Sequence, residues 1–405
     1  MPTAISKPVI LTSAGYYLPG YKAGGPITTL ANMVERLGEE FSFRIATRDR
    51  DLGDTKRYEG IRADTASVAC GRGEVHYLPP GAKGRRALYG ILSAGAYDVL
   101  YLNSLYSPTY SILPLAWMRA GLIQQRPIVL APRGELSAGA RSIKRLKKNA
   151  FLKASHLTAL HDRVLWQASS IYEEEDIRRE FGADAEVRIA PDLTSTHSQI
   201  EATLDSAKRP GTIRLLFVAR VCRMKNLHFA LEALAGLNGD IELHVVGPIE
   251  EPAYWKNCLD LADSLTPAVR ISYGGVVPAN AVTALMRRHD FLLLPTCGEN
   301  FGHVIVEAMS VGTPTIISDR TPWRNLQESG AGWDLPLENI GLFRETLARC
   351  IAMDEREHAS LRRGTEQYWR NRVAGDQSVV EQNRSLFIEA LSRTTVRPRP
   401  RALTA

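Results

Sequence analysis

Short apolar runs alternate with segments of helical periodicity along this chain, and the alternation occurs in two successive series. The first helical segment places Leu30, Met33, Val34 and Leu37 at the spacing of one helix face. Strand-like runs of the first series occupy 8–13, 41–47, 74–79, 98–103 and 127–132, and those of the second occupy 213–220, 241–247, 269–275, 290–296 and 314–319. Strands alternating with helices predict an α/β fold with parallel sheets.

The two series predict two domains. A chain of 405 residues exceeds what one hydrophobic core normally serves. The polar segment 205–212, with the breaker Pro210-Gly211, is predicted to be the linker between two domains. We therefore expect an N-terminal domain over 1–205 and a C-terminal domain over 206–375. Residues 376–405 are predicted to form a helix that packs back on the N-terminal domain, followed by a disordered tail. The expected architecture is two doubly wound domains facing a cleft, with ligands at the carboxyl ends of the strands.

Charge and cysteine content narrow the function classes. The net charge of +6 suits anionic small molecules or anionic lipid, but it is not typical of a dedicated nucleic-acid binder. The five cysteines are scattered without a C-x-x-C pair, which argues against a disulfide framework or a thiolate metal site. No apolar run is long enough for a signal peptide or a membrane span. We expect a cytoplasmic protein with no nucleic-acid partner.

The stretch CGENFGHVIVEAMSVGTP, residues 297–314, places two carboxylates around a strand-to-helix junction. Glu299 follows the strand predicted at 290–296, and Glu307 lies about one turn into the next helix. The backbone N–H groups of Phe301, Gly302 and His303 open this helix, and they are suited to sugar hydroxyls or phosphate. The alternative is that Glu299 only caps the helix and that Glu307 pairs with an arginine.

The stretch FVARVCRMKNL, residues 217–227, brings two cations to the end of the first strand of the second series. Arg220 offers a planar fork to phosphate oxygens, and Lys225 offers a compact positive charge. Beside the N-terminal amides of the following helix, they predict an anion site. The alternative is a solvated surface pair, as most such pairs are.

The first series carries weaker signals. Gly24 and Gly25 precede a helix and permit close approach of backbone to a ligand, or form a plain turn. The dinucleotide fingerprint G-x-G-x-x-G is absent, so a nicotinamide cofactor is not expected. Arg133 and Glu135 follow the strand at 127–132, again at a ligand-facing edge. The next helix has basic residues that suit anionic lipid, an anionic acceptor or a solvated face: Arg141, Lys144, Arg145, Lys147, Lys148 and Lys153.

Taken together, these motifs resemble the GT-B retaining glycosyltransferases of family 4, also called glycosyltransferase group 1. The resemblance rests on Gly24-Gly25, on Arg220 with Lys225-Asn226, and on the E-x7-E spacing from Glu299 to Glu307. It covers nearly the whole chain and implies two Rossmann-like domains. The run R-G-E-L-S from Arg133, with its later lysines, resembles members that build bacterial surface polysaccharides.

The resemblance implies a role for each site residue. Arg220 and Lys225 would neutralise the leaving diphosphate, and Glu299 would hold hydroxyls of the transferred sugar as the third catalytic residue. The donor-binding residues would include Glu307 on the ribose, with these others: Gly24, Gly25, Asn300, Phe301 and Gly302. Arg133, Glu135 and Lys144 would lie on the acceptor side. Pro132-Arg133 stands where many members have a histidine, and Pro191-Asp192-Leu193 replaces a frequent Asn-Gly turn.

The expected function is metal-independent transfer of a sugar from a UDP- or GDP-sugar to a lipid-linked or polysaccharide acceptor. The resemblance implies no cofactor, and it places the protein in lipopolysaccharide or exopolysaccharide synthesis at the inner face of the cell membrane, in peripheral contact with anionic lipid. The alternatives are a sugar-nucleotide epimerase, a glycoside hydrolase using Glu299 and Glu307, and a non-catalytic nucleotide-sugar-binding subunit.

Overall fold

The computed structural model describes residues 6–61, 67–142, 145–194, 207–374 and 376–393. Its internal contacts divide the chain into two compact units. Unit 1 comprises the described parts of Met1–Gly20, Leu30–Leu193 and Ser378–Ala405, and unit 2 those of Tyr21–Thr29 and Thr194–Gln377. The predicted boundary at 205/206 lies outside the described residues.

Unit 1 is built on one sheet whose strand order is β3-β4-β2-β1-β5-β6-β7-β8. All neighbours are parallel except β3, which runs antiparallel to β4 at the edge. The strands are β1 (Val9–Ala14), β2 (Ser42–Arg48), β3 (Val68–Cys70), β4 (Gly73–Leu78), β5 (Val99–Asn103), β6 (Ile128–Ala131), β7 (Val164–Ala168) and β8 (Val187–Ile189). The central strands β5, β6 and β7 are buried along their whole length, as expected for parallel strands covered on both faces.

The helices of unit 1 complete two apolar clusters, one for each face of this sheet. They are α1 (Gly25–Leu37), whose first turn to Thr29 is grouped with unit 2, α2 (Gly81–Ser93), α3 (Leu113–Arg119), α4 (Ala138–Ser142), α5 (Arg145–Leu157) and α6 (Ile171–Phe181). A seventh segment comes from the far end of the chain, at Gln377–Ser392. Its Phe387 is fully buried, with ring centroids 5.5 Å from Phe41, 5.9 Å from Phe43 and 5.4 Å from Tyr101.

Unit 2 contains a six-stranded parallel sheet of order β11-β10-β9-β12-β13-β14. Its strands are β9 (Thr212–Val218), β10 (Asp240–Val246), β11 (Val269–Tyr273), β12 (Phe291–Leu294), β13 (Thr315–Ser318) and β14 (Gly332–Leu335). Its helices are α7 (Leu227–Leu234), α8 (Pro252–Ala262), α9 (Ala279–Arg288), α10 (His303–Ser310), α11 (Ile340–Ala352) and α12 (Glu355–Trp369), and the C-terminal helix of unit 1 is α13. The predicted α/β class with two parallel-sheet domains is confirmed.

The structure differs from the sequence prediction in the segment 205–212. Residues 205 and 206 lie outside the described chain, but Lys208 is buried, and its ammonium donates to the carbonyl oxygens of Arg209, Ile351 and Met353 at 3.1–3.2 Å. Three backbone acceptors compensate for removing this charge from water. The part of the segment from Lys208 onward is therefore packed structure of unit 2. Over the described residues, no helix combines the length and apolarity needed to span a membrane.

Candidate active site

The direction of the strand order in unit 2 reverses between β9 and β12, and the loops that follow these two strands leave the sheet side by side. Two hydrogen bonds tie the loops together. The backbone N–H of Cys297 donates to the Met224 carbonyl at 2.8 Å, and the Asn226 side chain donates to the Pro295 carbonyl at 3.0 Å. Asn226 adopts the left-handed conformation, with φ of 61°, which turns its amide towards β12. Such a switch point at the carboxyl edge is where open α/β sheets bind ligands.

Lys225 and Glu299 meet at this point. The Lys225 ammonium lies 2.6 Å from Glu299 Oε1, and the two side chains are only 16% and 11% exposed. The Glu299 backbone N–H donates to the Arg320 carbonyl at 2.9 Å, which attaches this loop to the end of β13. The structure thus brings together two residues that are 74 positions apart and that sequence motifs had predicted separately.

Arg220 has a different partner. Its guanidinium pairs with Glu250, which follows β10, and both side chains are well exposed, at 38% and 45%. An exposed ion pair contributes about 0–1 kcal/mol, so a ligand phosphate can replace the Glu250 carboxylate at little cost. Sequence reasoning missed Glu250, although the doublet Glu250-Glu251 after a strand-like run was a visible signal.

The segment between Glu299 and α10 offers a row of donors. Within the described residues, the backbone N–H groups of Asn300, Phe301 and Gly302 donate to no protein acceptor. Gly302 has a φ of 81° and precedes α10 without a side-chain cap. Trp323 fixes the segment from behind, because its indole N–H donates to the Phe301 carbonyl at 2.6 Å. Unpaired amides at a helix N-terminus are suited to binding anions or hydroxyls.

Glu307 is largely buried one turn into α10, and among the described residues its carboxylate has no hydrogen-bond or ion-pair partner. Burial raises its pKa, while the nearby His303 acts in the opposite sense. A desolvated carboxylate without a partner is energetically unfavourable in the folded protein. The arginine partner considered as an alternative is not present in the described structure, and the geometry leaves both carboxylate oxygens available to a ligand.

His303 connects this helix to the predicted glycine pair. His303 Nε2 lies 2.7 Å from Thr29 Oγ1, and a Cβ added to Gly25 would lie 3.2 Å from the His303 ring. Gly24 has a φ of 69°, a conformation in which glycine is not strained. Gly24 and Gly25 belong to the segment Tyr21–Thr29 of unit 2, and this segment contacts the start of α10. The contributions of Thr29 and Trp323 had no signal in the sequence patterns.

Two of the acceptor-side candidates, Arg133 and Glu135, lie in unit 1, where their side chains bond to other residues of the protein. Arg133, with a φ of 58°, is 9% exposed and pairs with Asp192, while it also donates to Tyr101 and Asn103. This network holds the Arg133 guanidinium in place through contacts within unit 1.

Glu135 is similarly engaged. Its carboxylate accepts from the Leu105 N–H at 2.6 Å, the Tyr106 N–H at 3.2 Å and the Ser104 hydroxyl at 2.9 Å. Burial raises the pKa of Glu135, and these donors oppose the rise. Lys144, the third predicted residue of this group, lies outside the described residues. In the described ranges, no group of three or more His, Cys, Asp or Glu side chains is arranged to hold a metal ion.

Comparison with known proteins adds a family match over the second half. Residues 200–367 match the family model "Glycosyl transferases group 1". A phosphatidyl-myo-inositol mannosyltransferase of Mycolicibacterium smegmatis is 25% identical over 309 residues, which are 74% of this chain and 73% of that protein. A D-inositol 3-phosphate glycosyltransferase of Pseudarthrobacter chlorophenolicus is 28% identical over 160 residues, 37% of this chain and 38% of that protein.

Solved structures match over nearly the full length. A sucrose-phosphate synthase from Thermosynechococcus elongatus aligns with a TM-score of 0.70 and 16% identity, covering 96% of this chain and 100% of that chain. HepE of Anabaena, in complex with UDP and glucose, aligns with a TM-score of 0.67 and 19% identity, covering 95% and 99%. At these identities the structural likeness shows a shared fold.

Proposed function

We propose that this chain is a GT-B glycosyltransferase of group 1 that transfers a sugar from a nucleoside diphosphate sugar to a lipid-linked or polysaccharide acceptor. The reaction retains the configuration of the sugar and needs no metal ion. One observation carries this proposal: the Lys225–Glu299 pair and the amides of residues 300–302 lie in the loops after β9 and β12, and Glu307 lies in the first turns of α10, which follows the second loop; within the described residues these amides and the Glu307 carboxylate have no protein partner.

Each group has a task in such a transfer. Breaking the sugar–diphosphate bond develops positive charge on the sugar ring and expels an anion. Lys225 and Arg220 neutralise the departing diphosphate, and fixed donors in a partly dry site stabilise it without reorganisation. Glu299, oriented by Lys225, accepts hydrogen bonds from hydroxyls of the transferred sugar. The backbone amides of Asn300 to Gly302 donate hydrogen bonds to the same sugar.

Glu307 receives the ribose of the donor. Two vicinal hydroxyls satisfy both oxygens of a carboxylate that lacks a protein partner, and this removes the cost of its burial. Gly24 and Gly25 contribute backbone close to the donor phosphates. The nucleotide is a uridine or guanosine diphosphate; HepE, which shares the fold, has been crystallised with UDP and glucose.

The acceptor class is proposed from two similarities. The Mycolicibacterium relative is a phosphatidyl-myo-inositol mannosyltransferase, and one structure of the same fold, with a TM-score of 0.63, is WaaG, described as a glycosyltransferase involved in lipopolysaccharide biosynthesis. The protein would then act in the cytoplasm at the inner face of the membrane, in peripheral contact with anionic lipid. Synthesis of a surface polysaccharide is the expected process.

Substitution of the paired charges tests the proposal. Lys225→Ala and Glu299→Ala should each lower the rate of sugar transfer by at least about tenfold, because each variant loses one charge-assisted contact. Transfer is measured as release of nucleoside diphosphate that depends on added lipid-linked acceptor. Lys256→Ala is the matched control, because Lys256 forms an exposed ion pair with Asp260 in the same unit and should leave the rate unchanged. Wild-type rates in both site variants would overturn the assignment.

Three further measurements test the nucleotide, the metal independence and the hydrolase alternative. Calorimetry with UDP and GDP identifies the base, and binding of neither would contradict a nucleotide-sugar enzyme. Adding EDTA should leave the rate unchanged; a strict requirement for a divalent cation would refute the metal-independent mechanism. Sugar release without any nucleotide would instead favour a glycoside hydrolase.

A further inference from the structure

A long segment of unit 1 is strongly and one-sidedly basic. Residues 79–161 contain twelve lysines and arginines against two acidic residues, Asp98 and Glu135, although the whole chain is only +6. Both acids are engaged: Asp98 accepts the Val9 N–H at 2.8 Å, and Glu135 accepts the donors described above. The positive charge is therefore not compensated within the segment that forms α2, α3, α4 and α5.

Within this segment, α5 has two faces of opposite character. Leu152 and Ser155 are 2% and 3% exposed and face the core of unit 1. On the opposite face, Leu146 and Leu157 are 86% and 89% exposed. These leucines are eleven residues apart, three helical turns, so both project to the same side about 16 Å from one another. They are the most exposed of the large apolar side chains in the described chain.

Cations surround the two leucines. Arg145, Lys147 and Lys153 are exposed, and no carboxylate of the described residues forms an ion pair with them. Other arginines of this region have such partners: Arg141 pairs with Glu180 and Arg178 with Glu174. The outer face of α5 thus combines isolated leucines with uncompensated positive charge.

Exposed leucines are unfavourable in water, and a row of them flanked by lysines is typical of helices that lie in a membrane interface. The positive charge favours a lipid bilayer over a protein as the binding partner of this face. An anionic bilayer presents negative charge along the whole helix and so explains the cations around both leucines, which a protein partner would not require. We propose that the outer face of α5 docks on an anionic lipid bilayer. Leu146 and Leu157 enter the acyl boundary, and Arg145, Lys147 and Lys153 contact the headgroups.

This inference rests on the proposed function for its purpose, since a lipid-linked acceptor lies in the same bilayer. It does not rest on it for its test. Binding to vesicles requires neither donor nor acceptor, and the residues of α5 are in unit 1, whereas Lys225, Glu299 and Glu307 are in unit 2.

Co-sedimentation with vesicles of phosphatidylcholine, with and without phosphatidylglycerol, tests the docking of the full chain. The wild type should bind the anionic vesicles at least about tenfold more tightly, and added salt should weaken binding because it screens the headgroups. Replacing Arg145, Lys147 and Lys153 by glutamine should lower the partition coefficient roughly a hundredfold, at about fivefold for each cation. Leu146→Ser with Leu157→Ser should lower it at least about tenfold.

Matched controls lie in unit 2. Two control variants should bind vesicles as the wild type does. One replaces the exposed Arg356, Arg363 and Lys256 by glutamine, and the other combines Leu259→Ser with Leu342→Ser. Thermal melting and calorimetry with UDP on every variant verify that the fold and the donor site persist. The proposal is overturned by equal binding to neutral vesicles, by α5 variants that bind as tightly as the wild type, or by a change in oligomeric mass of the leucine variant without lipid. Binding of neither UDP nor GDP by the wild type would contradict the proposed function alone.

Discussion

Glu307 illustrates how a single residue links stability to binding. Its side chain is largely buried, its carboxylate has no hydrogen-bond or ion-pair partner among the described residues, and its pKa is raised. The ionised form is therefore disfavoured in the folded protein relative to the unfolded chain. Stability is thus reduced by a group that we propose to bind the donor, and such a cost is common at functional sites.

We predict that Glu307→Gln stabilises the ligand-free protein at neutral pH. Because the pKa of Glu307 is raised on folding, its contribution to the free energy of unfolding is most favourable below its ordinary pKa near 4.5 and is lost as the pH rises through the raised value. The melting-temperature difference between variant and wild type should therefore grow with pH and vanish in acid. The same variant should bind the nucleotide at least about tenfold more weakly, since it loses charge-assisted hydrogen bonds. Equal stability at all pH values would contradict the unpaired state of this carboxylate.

Arg133 shows the opposite situation, a charge that the protein fully satisfies. Arg133→Ala would break the buried ion pair of Arg133 with Asp192, which costs about 3–5 kcal/mol of stability. Urea denaturation measures this loss, and the exposed Arg163→Ala serves as the control, with an expected change below about 0.5 kcal/mol. UDP affinity in unit 2 should stay unchanged. A normal stability combined with an altered dependence on acceptor would instead support the acceptor-side role expected from the sequence.

At the scale of elements, the start of α10 determines the geometry of the candidate site. Gly302 is in the left-handed region, and its neighbours Asn300 and Phe301 present unpaired amides. The conformation of this junction matters more than its side chains, because backbone groups are the donors. A glycine is needed here to avoid strain.

Gly302→Ala should therefore destabilise the protein by about 1–2 kcal/mol and weaken donor binding, since alanine is strained at this φ. An added Cβ would also lie 2.9 Å from the Ile305 side chain. Gly298→Ala is a close control four residues earlier, because the nearest atom to its added Cβ is Met224 Sδ at 3.9 Å. Chemical denaturation and UDP calorimetry on both variants check the prediction. An equal effect of the two substitutions would show that backbone conformation at Gly302 is not the cause.

At the scale of the molecule, unit 1 depends on both ends of the chain. Helix α13 comes from the last part of the sequence, and its Phe387 packs among Phe41, Phe43 and Tyr101. The core of unit 1 is therefore complete only after the whole of unit 2 has been synthesised.

Phe387→Ala should lower the stability of unit 1 by about 3–5 kcal/mol, because it leaves a cavity in a packed core. Ile388→Ala, whose side chain is 43% exposed, is the adjacent control. Amide hydrogen exchange should show faster opening of β1, β2 and β5 in the first variant, while β9 and β12 keep wild-type protection. Uniform loss of protection across both sheets would indicate that the two units unfold together.

The sequence by itself determined the fold class, the long strands and the residue types at the ends of β9 and β12. It did so because central parallel strands are continuous apolar runs and because the chain direction fixes which end of each strand carries the following loop. The edge strands β3, β8 and β14 escaped prediction, since none of them is a continuous buried apolar run, as the equally short central strands β6 and β12 are.

Only the tertiary structure decided the partners of those residues. It paired Lys225 with Glu299 and Arg220 with Glu250, and it left Glu307 without a partner among the described residues. It also enclosed Arg133 and Lys208 and exposed Leu146 and Leu157. Burial and contact between residues far apart in sequence depend on how strands and helices pack, and local patterns do not contain that information.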